Sequence, residues 1–231
     1  MSVNLTQPCF LCGDHFYGSI CLCPACMNEL PFIKTACNRC GLPMEMETET
    51  ETCGACISDM PPVNHCTSVL HYDSPVDFLI KHMKYHNQLS VAELLGTLLA
   101  EKVSADLLLH SLPTPETIIP MPLHLDRLKQ RGYNQALEIA RPISNILNIP
   151  IDLDMCTRTI STAPQFDLPA AERGDNIKNA FTVNNPLPVR HIALLDDVMT
   201  TGSTVWEVAK TLRKAGVERI DVWTCARATT H

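Results

Sequence analysis

Cysteine pairs near the N-terminus constrain this chain more than any other feature. Ten of its 12 cysteines lie between Cys9 and Cys66, and eight of the ten form four C-x2-C pairs. A C-x2-C turn places two thiolates on one edge of a tetrahedron, and a zinc ion needs two such edges. Clustered cysteines in a reducing compartment indicate metal before disulfides. The spacing therefore predicts a zinc-binding module rather than the alternative, redox-active or structural disulfides.

Pairing neighbours in sequence gives C-x2-C-x10-C-x2-C followed by C-x2-C-x12-C-x2-C, which predicts two sites. The eight predicted ligands are Cys9, Cys12, Cys23 and Cys26 in the first site, and Cys37, Cys40, Cys53 and Cys56 in the second. An interleaved pairing is an alternative, and Cys21 is an alternative ligand that fits the spacing less well. Since four sulfurs fill each site and leave no position for water, we expect both zinc ions to be structural.

The Cys-rich segment is acidic. Residues 1–66 contain seven Asp and Glu residues against Lys34 and Arg39, and the whole chain carries a formal net charge of -7. A zinc ion held by four thiolates adds about two further negative charges. Such a segment is poorly suited to binding nucleic acid through its phosphates, so a protein partner or a purely structural role is favoured for it.

Downstream of Pro61 and Pro62 the pattern changes to strands alternating with helices. The predicted strands are 68–72, 117–121, 191–198 and 218–226, and the predicted helices are 75–85, 90–103, 134–147 and 203–216. This alternation is typical of a parallel sheet with helices on its faces. The predicted organisation is a zinc module over residues 1–66 and an α/β domain over residues 67–231.

The segment LLDDVMTTGST places two acids at the end of an apolar strand. Vicinal carboxylates such as Asp196 and Asp197 can accept hydrogen bonds from two sugar hydroxyls, or hold Mg²⁺ through water. The following hydroxyl-rich loop leads into a helix N-terminus, whose amides and dipole favour phosphate. The combination predicts a ribose 5-phosphate site, against the simpler alternative of a Thr/Ser-capped loop. The loop residues concerned are Thr200, Thr201, Gly202, Ser203 and Thr204.

Two segments resemble known families. IALLDDVMTTGST closely resembles the phosphoribosyl pyrophosphate (PRPP) motif of type I phosphoribosyltransferases. PMPLHLDRLKQRGYNQALEIA resembles a segment of the ComF/GntX family, whose members place a Cys-paired module before such a domain. The resemblance implies a type I phosphoribosyltransferase-like sheet that binds Mg²⁺ with PRPP. It also implies that Asp196 and Asp197 contact the ribose 2′- and 3′-hydroxyls while residues 200–204 hold the 5-phosphate.

The same resemblance implies roles for residues outside the motif. Residues 121–124 would face pyrophosphate, with Arg127 and Arg131 just beyond them. Residues 158–176 would form a loop that covers the site, and its Arg158 and Arg173 are the candidate catalytic residues, since arginine binds phosphate bidentately. Related purine enzymes commonly carry an acid where this chain has Thr200, so no general base for an acceptor is predicted.

Two functions follow as hypotheses. The first is an enzyme that transfers a phosphoribosyl group to an unidentified acceptor. The resemblance to the ComF/GntX family implies that this enzyme is associated with DNA uptake and utilisation in natural competence. The second is a non-enzymatic protein of the uptake machinery that binds PRPP or single-stranded DNA. Few aromatic residues (5%) and the acidic charge disfavour strand binding. The N-terminus does not match a secretory signal and no apolar run spans a membrane, so we expect a cytoplasmic protein without membrane insertion.

Overall fold

The computed structural model describes residues 6–45, 51–160, 179–184 and 189–229. The Cys-rich segment is built from short elements. Strands β1 (Thr6–Pro8) and β2 (His15–Tyr17) form an antiparallel hairpin, and each of two short helices begins directly after a cysteine. These helices are α1 (Pro24–Asn28) and α2 (Gly54–Ser58).

A four-stranded sheet forms the centre of the rest of the chain. Its strands are β3 (His65–His71), β4 (Thr117–Pro120), β7 (His191–Met199) and β8 (Arg219–Arg227). The spatial order is β3-β8-β7-β4 and all neighbours are parallel. Between β4 and β7, the short strands β5 (Cys156–Arg158) and β6 (Phe181–Val183) form a separate antiparallel hairpin.

Helices cover both faces of this sheet. They are α3 (Val76–His86), α4 (Leu89–Leu109), α5 (Leu125–Arg131), α6 (Gln135–Leu147) and α7 (Ser203–Lys214). Alternate residues of β7 point to opposite faces: Ala193 and Leu195 pack with α3, α4 and α6, whereas Ile192 and Leu194 pack with α7. The predicted parallel α/β fold with an N-terminal Cys-rich module is therefore confirmed. Among the described residues, no helix combines the length and apolarity needed to cross a bilayer.

Several elements differ from the sequence-based prediction. Strand β7 continues one residue further, to Met199, because β8 supplies a pairing partner as far as Arg227. Helix α6 begins at Gln135, one residue later than predicted, and includes Pro142 as the predicted helix did. Gly96 of α4 lies against it so closely that a Cβ there would be 2.4 Å from the proline ring. Helix α5 and the β5–β6 hairpin were not predicted.

The Cys-rich segment packs directly on the sheet. Residues 31–33 run antiparallel along the outer edge of β3, where the Ile33 amide donates to the Val69 carbonyl at 2.8 Å and the His71 amide donates to the Pro31 carbonyl at 2.9 Å. This pairing covers part of an edge strand that would otherwise expose its backbone groups. The division into residues 1–66 and 67–231 stays a proposal, and β3 begins at His65, just before it.

Candidate functional site

The eight cysteines of the C-x2-C pairs come together in two groups of four, and the groups follow the sequential pairing. Within each group the sulfur atoms all lie within 4.8 Å of one another. The Cys12 and Cys23 sulfurs are 3.8 Å apart, and those of Cys40 and Cys53 are 3.7 Å apart. A tetrahedral ion with zinc–sulfur bonds of about 2.3 Å requires sulfur–sulfur edges of about 3.8 Å. The donor sets therefore fit zinc.

Backbone amides support the charged form of these thiols. The amides of Arg39 and Cys53 donate to the Cys37 sulfur at 3.4 and 3.2 Å. The hydrogen bond from the Cys40 thiol, together with these amides, lowers the pKa of Cys37 to about 4 despite burial. The Cys21 thiol instead donates to the Ser90 carbonyl at 3.5 Å and lies outside the first group. Cys37 of the second group is thus stabilised as a thiolate ligand.

The two adjacent aspartates lie within the last four residues of β7 and have different environments. Asp197 is 7% exposed, and its Oδ2 accepts from the Lys84 ammonium at 2.7 Å while its Oδ1 accepts from the Val198 amide at 2.7 Å. Asp196 is partly buried, and its Oδ1 accepts from the Asp197 amide at 2.9 Å. Helix α3 therefore supplies Lys84, which pairs with Asp197, while Asp196 faces the cleft.

Burial and charge set the protonation of this trio. Burial, and then the neighbouring Asp197 carboxylate, raise the pKa of Asp196 to about 7. Burial alone would lower the pKa of Lys84, but the attraction and hydrogen bond of Asp197 outweigh it, so the pKa of Lys84 lies above its usual value. Lys84 is accordingly a permanent cation at the cleft, and Asp196 changes charge near neutral pH.

An open cleft of about 670 Å³ lies beside these aspartates, at the carboxyl ends of β4 and β7. Its lining includes Arg127 and Arg131 of α5 and Arg158 at the end of β5. Burial, and then repulsion by Arg127, lower the pKa of Arg158. Guanidinium groups thus border one cleft with the Asp196 carboxylate, an arrangement that can bind an anionic group attached to a hydroxyl-bearing one.

The segment from residue 131 to 135 connects the walls of this cleft. The Tyr133 hydroxyl donates to the Met83 carbonyl, next to Lys84 at the end of α3. The Asn134 amide group donates to the Met121 carbonyl at 3.1 Å, and its carbonyl oxygen caps α6. Both contacts hold cleft-lining backbone in place, which gives a structural reason for the polar residues of this segment.

Gln135 is the next residue and contributes a buried donor. It is 2% exposed, and its Oε1 accepts from the Arg131 guanidinium at 3.0 Å, which fixes the orientation of the amide. In the part of the chain that the structure describes, its Nε2 finds no hydrogen-bond partner. Because Gln135 also lines the cleft, this buried amide is a candidate hydrogen-bond donor to a bound ligand.

The hydroxyl-rich loop after β7 forms a second, smaller depression of about 240 Å³. Gly202, at φ +81°, is the N-cap residue of α7 and has no side chain to bond the amides of the first helical turn. The Thr201 and Ser203 hydroxyls lie 2.8 Å apart at its rim. An N-terminal helical turn edged by hydroxyls is a suitable anion site, and Asp196 borders both this depression and the larger cleft.

Comparison with known proteins agrees with this architecture. Residues 3–63 match the family model of the double zinc ribbon domain. The chain is 39% identical over 210 residues to Competence protein F of Haemophilus influenzae, covering 90% of each protein. It is 35% identical over 227 residues to DNA utilization protein YhgH of Escherichia coli K12, covering 96% of this chain and 99% of the relative. The chain belongs to the ComF/GntX family.

One solved structure that aligns with this ComF/GntX family member is the glutamine PRPP amidotransferase of B. subtilis complexed with ADP and GMP. The alignment covers 58% of the present chain and 26% of the amidotransferase chain. The sequence identity is 17% and the TM-score is 0.39.

Most residues predicted for the site line the two depressions, with exceptions. Arg173, like most of the predicted covering loop, lies outside the described residues. His124 caps α5, its ring nitrogen accepting from the Asp126 amide at 3.2 Å. Lys84, Asn134 and Gln135 were not predicted, since the sequence around Lys84 suggested only a helix end. Asn134 and Gln135 could have been found from the sequence, because they lie in RGYNQ (131–135), part of the stretch that resembles the ComF/GntX family.

Proposed function

We propose that this ComF/GntX family member binds Mg²⁺-PRPP across the two depressions. The observation that carries the proposal is the position of Asp196, which borders both of them. A ribose held at Asp196 would direct its 5-phosphate to residues 200–204 and its 1-pyrophosphate toward Arg127, Arg131 and Arg158. The ligand's charge distribution, anionic at both ends and hydroxylated between, matches this order of protein groups.

The two aspartates take different tasks in this proposal. Both carboxylate oxygens of Asp197 already accept hydrogen bonds, one of them from Lys84. Asp196 is therefore the principal acceptor for the ribose hydroxyls, and Asp197 holds Lys84 at the cleft. Ligand hydroxyls favour an ionised Asp196, so binding would draw its pKa down from about 7.

Transfer would break the bond between C1 of ribose and the pyrophosphate oxygen while an acceptor's electron pair forms the new bond to C1. Bound Mg²⁺ would supply neutralising charge to the pyrophosphate. The chain's own part is to orient PRPP and to stabilise the departing negative charge with Arg127, Arg131 and Arg158. Because Thr200 stands where related purine enzymes carry an acid, the acceptor we favour is one that attacks without losing a proton to the protein.

A second candidate is binding of a single strand of DNA without turnover. A groove of about 870 Å³ adjoins the cleft and shares Lys84, Arg127 and Arg131 with it, and no acidic residue lines it among those described. Tyr85 in this groove is 67% exposed, with the Arg131 guanidinium 5.5 Å from its ring centre. An exposed aromatic ring among cations suits a stacked base and its phosphates, which the overall composition did not suggest.

Calorimetry with Mg²⁺-PRPP, followed by an assay for pyrophosphate release, separates the candidates. We expect one PRPP per chain and weaker binding in Lys84→Ala, with Lys81→Ala on the exposed face of the same helix as the matched control. Pyrophosphate release that depends on an added acceptor supports the enzyme. Tight binding of an oligonucleotide that Tyr85→Ala weakens, without pyrophosphate release from any acceptor, supports the second candidate. Absence of PRPP binding would contradict the proposal.

A further inference from the structure

Arg227, the last residue of β8, joins the second four-cysteine group to the start of the phosphate loop, defined here as residues 200–204. The side chain is 6% exposed, and its Nε donates to the Cys40 carbonyl at 2.9 Å. Its Nη1 donates to the Met199 carbonyl at 3.2 Å and also to the Thr200 carbonyl. These partners are all backbone carbonyls, so this buried cation connects a zinc-ligand residue to the end of β7.

Trp206 makes a second connection between the same two regions. Its indole lies so close to Gly202 that a Cβ on that glycine would be 2.5 Å from Cε2. The indole also packs against the cluster formed by Cys37, Cys40 and Cys56. One aromatic ring thus separates the phosphate loop from the second four-cysteine group, and the left-handed Gly202 permits that close approach.

The turn after Cys40 fixes the other end of the Arg227 contact. Gly41 has φ +65°, and a Cβ there would lie 2.1 Å from the Ser68 hydroxyl of β3. The Cys40 carbonyl therefore lies between the sheet on one side and the four-cysteine group to which Cys40 belongs on the other. By contrast, the first four-cysteine group packs with α3 and α4, because Cys9 and Cys23 belong to the same buried core as residues of those two helices.

We propose that the second four-cysteine group, when it holds zinc, sets the conformation of the phosphate loop, and that Arg227 and Trp206 are the positioning residues. Without the ion, four thiols that lie within 4.8 Å of one another lose their common ligand. The Cys40 carbonyl and the surface that supports the indole then shift, and the loop loses two of its supports. The first group lies on other elements and serves as the internal control. The inference rests on the proposed function only in the measurement of ribose 5-phosphate affinity, and the hydrogen-exchange measurement does not depend on it.

Hydrogen exchange of residues 199–206 in the ligand-free full chain tests the proposal without any assumption about function. Cys53→Ser should remove one zinc by elemental analysis and speed exchange of this segment about tenfold or more, as expected for local opening. Exchange within residues 192–195 of β7 should stay unchanged. Cys12→Ser should also remove one zinc but change exchange at 199–206 less than about twofold. Equal effects of the two variants, or no effect of Cys53→Ser on the loop, would overturn the proposal.

Arg227→Lys provides a variant that keeps all eight cysteines, so it decides the question even if Cys53→Ser fails to fold. Lysine keeps the charge but cannot reach separate carbonyls with a planar fork. We expect two zinc ions, faster exchange at 199–206 and affinity for ribose 5-phosphate lowered about tenfold. Arg219→Lys, at the opposite end of the same strand, is the control and should leave both measurements unchanged. Parental exchange and affinity in Arg227→Lys would refute its positioning role.

The two possible failures remain distinguishable. If the parent protein binds neither ribose 5-phosphate nor Mg²⁺-PRPP, the proposed function is wrong, while the exchange data still decide whether the second four-cysteine group positions the loop. If the parent binds and Arg227→Lys binds equally well with unchanged exchange, the inference is wrong and the proposed function stands.

Discussion

Replacing each of the two adjacent aspartates by asparagine should change stability in opposite directions. Burial, and then the Asp197 carboxylate, raise the pKa of Asp196 from 3.8 to about 7 in the folded protein. Between these values the unfolded chain has released the proton and the folded chain still holds it. Stability therefore falls as the pH rises from about 4 to about 7, and the loss is complete above that range. Asp196→Asn removes this loss because its amide does not ionise.

The size of the effect follows from the same shift. Three pKa units correspond to about 4 kcal/mol at high pH, and contact of the partly buried side chain with water reduces this value. We expect Asp196→Asn to be more stable than the parent by about 1 kcal/mol at pH 5 and by about 3 kcal/mol at pH 8. Asp197→Asn instead breaks the 2.7 Å pair with Lys84 and should cost about 1–3 kcal/mol.

Urea unfolding at several pH values, in buffer without magnesium or PRPP, measures these differences. Comparing each variant with the parent at the same pH cancels any common effect of pH on the zinc sites. An Asp196→Asn advantage that does not grow with pH would refute the environment assigned to this carboxylate. Equal destabilisation by both substitutions would show that Asp196, like Asp197, is held by a partner.

Three further outcomes can be checked directly. Elemental analysis of protein purified without added metal should find two zinc ions per chain, and a value near one would contradict the two sequential sites. Gln135→Leu should weaken pyrophosphate binding several-fold, because it removes a buried donor that has no partner among the described residues, while ribose 5-phosphate binding stays at the parental level. Unchanged pyrophosphate affinity would exclude Gln135 as a ligand contact. Gly202→Ala should cost about 1–3 kcal/mol in stability and abolish ribose 5-phosphate binding, since φ is +81° and the new Cβ would lie 2.5 Å from the indole. Parental stability and binding in Gly202→Ala would show that the loop adopts another conformation.

Local patterns in the sequence were sufficient for the zinc groups and the central strands. C-x2-C spacing is a property of one turn, so it identifies each ligand pair without knowledge of the fold. Residues 192–195 are all apolar because both faces of β7 are covered, and such a run is typical of a buried parallel strand. Asp196 and Asp197 stand out because they interrupt that run at its carboxyl end, where α/β folds bind ligands.

Contacts between distant segments could not be predicted in this way. Nothing near Lys84 indicates that it will pair with Asp197, because the pairing depends on how α3 packs beside β7. Arg227 and the Cys40 carbonyl are 187 residues apart and meet only because residues 31–41 lie along β3. The short hairpin of β5 and β6 was missed since three-residue strands carry too little alternation to recognise.

A crystal structure of the protein grown with Mg²⁺ and PRPP tests the central proposal most directly. We predict density for the 5-phosphate at the first turn of α7, within hydrogen-bond distance of the Thr201 and Ser203 hydroxyls. The ribose hydroxyls should lie on the Asp196 carboxylate, and the pyrophosphate should face Arg127 and Arg158. Ordered ligand elsewhere on the chain, or ligand at this cleft with its ribose turned away from Asp196, would contradict the proposal.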